Sequence, residues 1–145
     1  MTYSLRDFVD ESNRIESISY TSAIEIIAHE AFLQLETVTV RDLGIFVGIV
    51  QPGAILRRKA HQNVRVGNYI APQGGASLVE ELRKLLANVK HSTPYETHVA
   101  YEQLHPFTDG NGRSGRVLWL WHMGGEAPIG FLRQFYYQTL AASRR

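Results

Sequence analysis

At 145 residues, 44% hydrophobic and 20% charged, the chain suits a single compact domain over residues 1–145 and excludes an extended, disordered polyelectrolyte. Lys plus Arg number 15 and Asp plus Glu 14, so the net charge of +1 points to no nucleic-acid partner. The absence of cysteine removes disulfides, thiolate zinc sites and thiol nucleophiles.

No apolar run approaches the roughly 20 residues of a membrane-spanning helix. Met1 to Asp7 carries no basic-then-apolar leader. The expectation is a cytoplasmic protein with no membrane partner. The basic clusters are Arg57-Arg58-Lys59 and Arg144-Arg145, and runs this short are expected at solvated turns and ends.

In chain order, Ile24, Ile27, Ala28, Ala31, Phe32 and Leu35 recur at helical spacing and predict a buried, central helix from about Ser22 to Glu36. Thr39 with Asp42 forms a capping-box pattern ahead of Leu43, Phe46, Val47 and Val50, so a second helix is expected to stop near Pro52-Gly53. Asn63 to Ala71 alternates Val64, Val66 and Tyr69 with polar or glycine positions and predicts one hairpin. Ser77 with Glu80, and Thr93 with Pro94 and Glu96, are start signals for helices at about 78–89 and 94–104. Val117, Leu118, Leu120 and Trp121 predict a buried helix that Gly124-Gly125 ends. Core packing is expected for Trp119 and Trp121, and a last amphipathic helix from about Pro128 to Ala142. The layout is all-α with one small β-hairpin.

The segment from His105 to Arg116 carries chemistry. Gly110, Asn111 and Gly112 are residue types that tolerate positive φ, so successive N–H groups can turn to one point as an anion nest. A helix starting just after them would turn its N-terminal dipole to the same anion. Arg113 and Arg116 are three residues apart, which puts two guanidinium groups on one helix face within reach of neighbouring phosphate oxygens. A polyphosphate such as ATP usually arrives with Mg²⁺, and Asp109 beside the nest can supply its carboxylate ligand. His105 as a neutral imidazole can take a proton from an incoming hydroxyl, while Pro106 stiffens the turn and Phe107 anchors it inward. Taken singly, each feature has a plainer reading: a structural His at a helix end, hairpin turns at Asp-Gly and Asn-Gly, or a solvated arginine face. Base, carboxylate, nest and spaced arginines together favour a site.

This segment resembles the Fic (filamentation induced by cyclic AMP) family motif His-x-Phe-x-Asp/Glu-Gly-Asn-Gly-Arg-x-x-Arg at every specified position. The order of elements over roughly 53–123 is also similar to that family's flap, following helix and catalytic loop. The resemblance implies a helical Fic fold and transfer of AMP from ATP to a Ser, Thr or Tyr hydroxyl of a protein. It assigns His105 as base and Asp109 to Mg²⁺. Gly110, Asn111 and Gly112 would hold the α- and β-phosphates, with Arg113 and Arg116 on the leaving pyrophosphate. The flap, about 63–71 with Val64, Arg65, Val66 and Gly67, would accept an extended target segment as an added strand.

Ser12-Asn13-Arg14-Ile15-Glu16, within a segment of about 7–17, resembles the family's inhibitory motif, in which Ser or Thr precedes Glu by four residues. By that resemblance Glu16, one helical turn from Ser12, would pair with Arg116 and deny it to the γ-phosphate. Ser17 stands where the motif has Gly or Asn. Three other functions share these residues: phosphoryl transfer, as in the related Doc branch, a non-catalytic nucleotide-binding interaction module, and transfer of another nucleotide-linked group, which the loop leaves open. Intact Gly112 favours AMP transfer over the first, and retained His105 favours catalysis over the second. Self-modification and a homo-oligomer stay open.

Overall fold

The computed structural model describes residues 4–126. Six α-helices and one hairpin follow in order: α1 (Leu5–Ile15), α2 (Ala23–Leu33), α3 (Val40–Val50), β1 (Arg65–Val66), β2 (Tyr69–Ile70), α4 (Ala76–Ala87), α5 (Pro94–Leu104) and α6 (Asn111–His122), with a short 3-10 turn at Val89–His91. The all-α expectation with a small flap is met. The last helix expected from Pro128 to Ala142 lies outside the described residues.

The starts of α3 and α5 follow the local chemistry. Thr39 and Thr93 each accept the N–H three residues on, and Asp42 and Glu96 return a bond to the cap N–H. Ser22 and Glu25 form a third capping box at α2. The expected start at Ser77 is corrected: α4 begins two residues earlier, after Gly75, whose φ of 134° ends the preceding turn without a side-chain cap.

The central element is α6, packed against α5, α2, α3 and α1. It buries Val117, Leu118, Trp119 and Leu120. A main core joins Phe32, Phe46, Leu82, Tyr101, Phe107 and Leu118, while Phe8, Trp119 and Leu120 form a smaller cluster that seats α1. Trp121 is half-buried and its indole Nε1 donates to the Leu35 carbonyl at 2.8 Å.

The central placement expected for the helix at 22–36 is a second correction. Ile24 and Ile27 are 58% and 60% exposed, and Ala31 is exposed, whereas Ala28, His29 and Phe32 are buried. This helix is apolar on nearly every side, so spacing identifies a helix without choosing its inner face. On the inner face Glu25 meets Asn13 of α1 and Arg113 of α6, and His29 packs against Phe8 of α1 and Phe46 of α3.

The hairpin pairs Arg65 with Ile70 and Val66 with Tyr69 across Gly67-Asn68. Gly67 has φ 60°, at the first turn position where a tight hairpin favours glycine. Arg57 overturns the expectation of a solvated basic turn, being fully buried.

Candidate active site

His105 closes α5 in the left-handed region, φ 49° and ψ 62°, so the chain turns sharply into the loop. Its Nδ1 lies 2.5 Å from the Glu102 carbonyl. A carbonyl only accepts, so Nδ1 carries the proton and Nε2 keeps its lone pair. Burial pushes the imidazole below the usual histidine range; the Arg57 charge adds to this, while the Glu102 carbonyl and Glu16 oppose it. The ring is neutral at pH 7 and can act as a base.

The loop holds its own shape. Phe107 is buried and bridges Leu56, as an inward anchor should. Asn111 accepts the Phe107 N–H at 2.9 Å and donates Nδ2 to the Phe107 carbonyl at 2.8 Å. Gly110 takes φ 77° as the residue before α6, and Asn111 and Gly112 are already helical. The expected three-residue nest is therefore one left-handed glycine followed by a helix N-terminus, an arrangement that still gathers N–H groups. Asp109 accepts the Gly110 N–H on Oδ1 at 2.8 Å and is exposed, leaving its second oxygen accessible.

A cavity of about 500 Å³ joins His105, Asp109, Gly110, Gly112 and Arg113 with Glu16, and also meets Val64, Arg65 and Val66 of the flap. A larger cavity of about 680 Å³, lined by apolar residues such as Leu86 and by charged ones such as Arg83 and Lys90, lies at the other end of α6 beside Trp121. It holds none of these groups.

The two arginines diverge rather than meet at one anion site. Arg116 is fully buried, donating Nε to Ser12 Oγ at 2.8 Å and Nη2 to the Ser12 carbonyl at 3.0 Å and to Glu16 Oε1 at 2.8 Å. The Glu16 carboxylate lies over Gly112, where any Cβ would collide with it. Arg113 donates to Gln51 Oε1 at 2.5 Å and reaches Glu25 Oε2 at 3.5 Å. Its Nε is buried without a hydrogen-bond partner among the described residues.

Glu25, Glu102 and His98 extend this network beyond the segment from His105 to Arg116. Glu25 could have been found as the third residue of a capping box, but its second oxygen also accepts from Asn13 Nδ2 at 3.2 Å. Burial alone would raise its carboxyl; bonds from Ser22 and Asn13 and the Arg113 charge outweigh that and hold it below the usual range. Glu102, fully enclosed, is pushed up to about 8 by burial, with Arg116 opposing and Glu16 adding. It lies 4.0 Å from His98, which burial pushes down to about 4. At pH 7 this is a neutral acid beside a neutral imidazole.

Ser17 explains a departure noted above. Its N–H donates to the Arg14 carbonyl at 2.9 Å and that of Ile18 to the Asn13 carbonyl at 2.9 Å, the paired bonds of a Schellman ending. Ser17 thus sits at the left-handed position, φ 61°, which glycine or asparagine fills without strain.

His105, Asp109 and the start of α6 thus border one cavity within a helical fold. The Fic/DOC family matches residues 27–123, well over half the chain, and the chain belongs to that family. Its members transfer nucleotide-linked groups. A search of curated proteins finds no match. No helix among the described residues is long and apolar enough to cross a membrane.

Proposed function

We propose that the protein is an adenylyltransferase that moves AMP from ATP to a Ser, Thr or Tyr hydroxyl of a protein, and that Glu16 restrains it. The observation that carries this reading is the shared cavity, which His105, with Nδ1 on the Glu102 carbonyl and Nε2 left to accept a proton, lines together with the start of α6. The target hydroxyl would lose its proton to Nε2 as its oxygen attacks the α-phosphorus. The bond from that phosphorus to the bridging oxygen breaks, and pyrophosphate departs with the electron pair.

The N–H groups at Asn111 and Gly112 and the dipole of α6 would take the α- and β-phosphates, with Gly110 turning the chain into the helix. The orphaned Arg113 Nε and the Glu16 carboxylate over Gly112 both support an anion site there, since a carboxylate already rests in the cradle. The accessible oxygen of Asp109 suits Mg²⁺, an oxygen-seeking cation that would offset phosphate charge when bound. Gly112 leaves room for the β-phosphate, which favours AMP transfer over phosphoryl transfer. Arg65 to Ile70, a hairpin beside the same cavity, would align the target segment.

Glu16 holds Arg116 and covers Gly112, so ATP with its γ-phosphate at Arg116 would have to displace it. Incubation with ATP labelled at the α- or γ-phosphate tests the reading, using wild type, His105→Ala and Glu16→Gly. Expected are α-label on protein, none with His105→Ala, and more with Glu16→Gly. Label from the γ-position alone would sink AMP transfer, and unchanged activity in a folded Glu16→Gly variant would remove Glu16 as the restraint.

A further inference from the structure

Arg57 belongs to no ion pair among the described residues, yet it is fully buried. Its guanidinium donates to four backbone carbonyls. Nε reaches His105 O at 2.6 Å and Nη2 reaches Leu104 O at 2.9 Å; Nη1 reaches Gln62 O at 3.0 Å and Pro72 O at 2.8 Å. The first two are terminal carbonyls of α5 with no onward helix partner, and the negative end of that helix favours a cation there. The other two lie just before and just after the flap hairpin. One side chain therefore ties the left-handed turn at His105 to both feet of the flap.

The backbone reinforces this strap. The Arg57 N–H donates to Pro106 O at 2.9 Å and its carbonyl accepts from Gly75 N at 2.9 Å, while Thr108 N donates to Ile55 O at 2.9 Å. Tyr69 on β2 adds a tie of its own, its hydroxyl donating to Gln103 O at 2.5 Å. Burying an unpaired cation is costly, and four carbonyl dipoles in a planar fork are what a guanidinium satisfies and an ammonium does not. A single apolar side chain of similar length could fill the volume without that desolvation cost if packing were the whole need.

We infer that Arg57 is a positioning residue: it couples the flap to the His105 turn, so that a target segment laid on the hairpin and the imidazole that deprotonates its hydroxyl are held as one unit. The inference rests on the proposed roles of His105 and the flap. Arg57 lines no part of the cavity, so it acts through His105 and the hairpin rather than on ATP.

The test uses the full chain as wild type, Arg57→Lys and Arg57→Met, each also in a Glu16→Gly background. Three measurements are made: ¹⁵N spectra of the His105 ring, hydrogen exchange over residues 62–72, and self-modification with α-labelled Mg-ATP. Amides of Val117 to Leu120 report whether the core is intact. With the core protected, Arg57→Met is expected to mix the His105 tautomers and speed flap exchange together. Transfer should fall about 10- to 100-fold in kcat with the KM for ATP unchanged, the scale of a misplaced group. Arg57→Lys should fall between, because one ammonium cannot reach all four carbonyls.

A single Nδ1–H tautomer with wild-type flap exchange would overturn the inference, as would a change in one without the other. Loss of core protection in both variants would also overturn it, in favour of a purely structural role. If the wild type transfers no α-label while the ring and flap respond together, AMP transfer fails and the coupling stands.

Discussion

Replacing Ser17 by glycine should tighten the hold of α1 on the site. Ser17 occupies the left-handed position of a Schellman ending at φ 61°, directly after Glu16. A left-handed backbone costs an L-residue about 1–2 kcal/mol, which glycine escapes. Glycine gives back about 0.4–1 kcal/mol through the freer unfolded or undocked chain. The net gain is about 0.5–1 kcal/mol, or a two- to fivefold shift toward docked α1. Hydrogen exchange of the Phe8 to Ile15 amides should slow by that factor, and basal transfer of α-label should fall by it. Ser17→Val, β-branched and worse in this conformation, should move both the other way. Slower exchange without a fall in transfer would break the link between α1 docking and inhibition. Exchange no slower than wild type would refute the strain argument itself.

Other expectations follow from buried polar groups. The transfer rate should hold from pH 7 to 6.5 and fall only below that, because burial keeps His105 below its ordinary 6.5 and the neutral ring is the active form. Glu16 opposes that shift, so Glu16→Gly should move the acid limb lower still; a limb above 6.5 would contradict the assignment. Stability should peak near pH 6.5. Glu102 at about 8 keeps a proton that the unfolded chain releases above 4.5, so its contribution is full at low pH and is lost as pH rises toward 8. His29 and His98, both near 4, act oppositely, and their contribution is lost as pH falls from 6.5 toward 4. Urea unfolding of Glu102→Gln should remove the alkaline decline, about 2 kcal/mol between pH 6.5 and 8; parallel curves for variant and wild type would exclude it. Asn111→Ala strands the buried Phe107 N–H and should cost about 2–4 kcal/mol in the same assay. A loss under about 0.5 kcal/mol would mean that the loop closes without it.

Much of the fold and the outline of the site are legible in the sequence because the signals are local. A capping box involves residues three apart, so Thr39 with Asp42 and Thr93 with Glu96 announce their own helices. The motif from His105 to Arg116 is likewise continuous, and a turn glycine such as Gly110 acts on its own backbone. What stays hidden depends on neighbours far along the chain. The inner face of α2, apolar all round, was chosen by Glu25 meeting Asn13 and Arg113. Arg57 looked like part of a solvated basic run, and only folding brings its fork to the end of α5 and the feet of the flap. The sequence by itself determined which residue types stand together from His105 to Arg116, because their spacing is set by order along the chain alone. Only the tertiary structure decided which acceptor each arginine meets, because a buried cation takes whatever oxygens packing brings within about 3 Å.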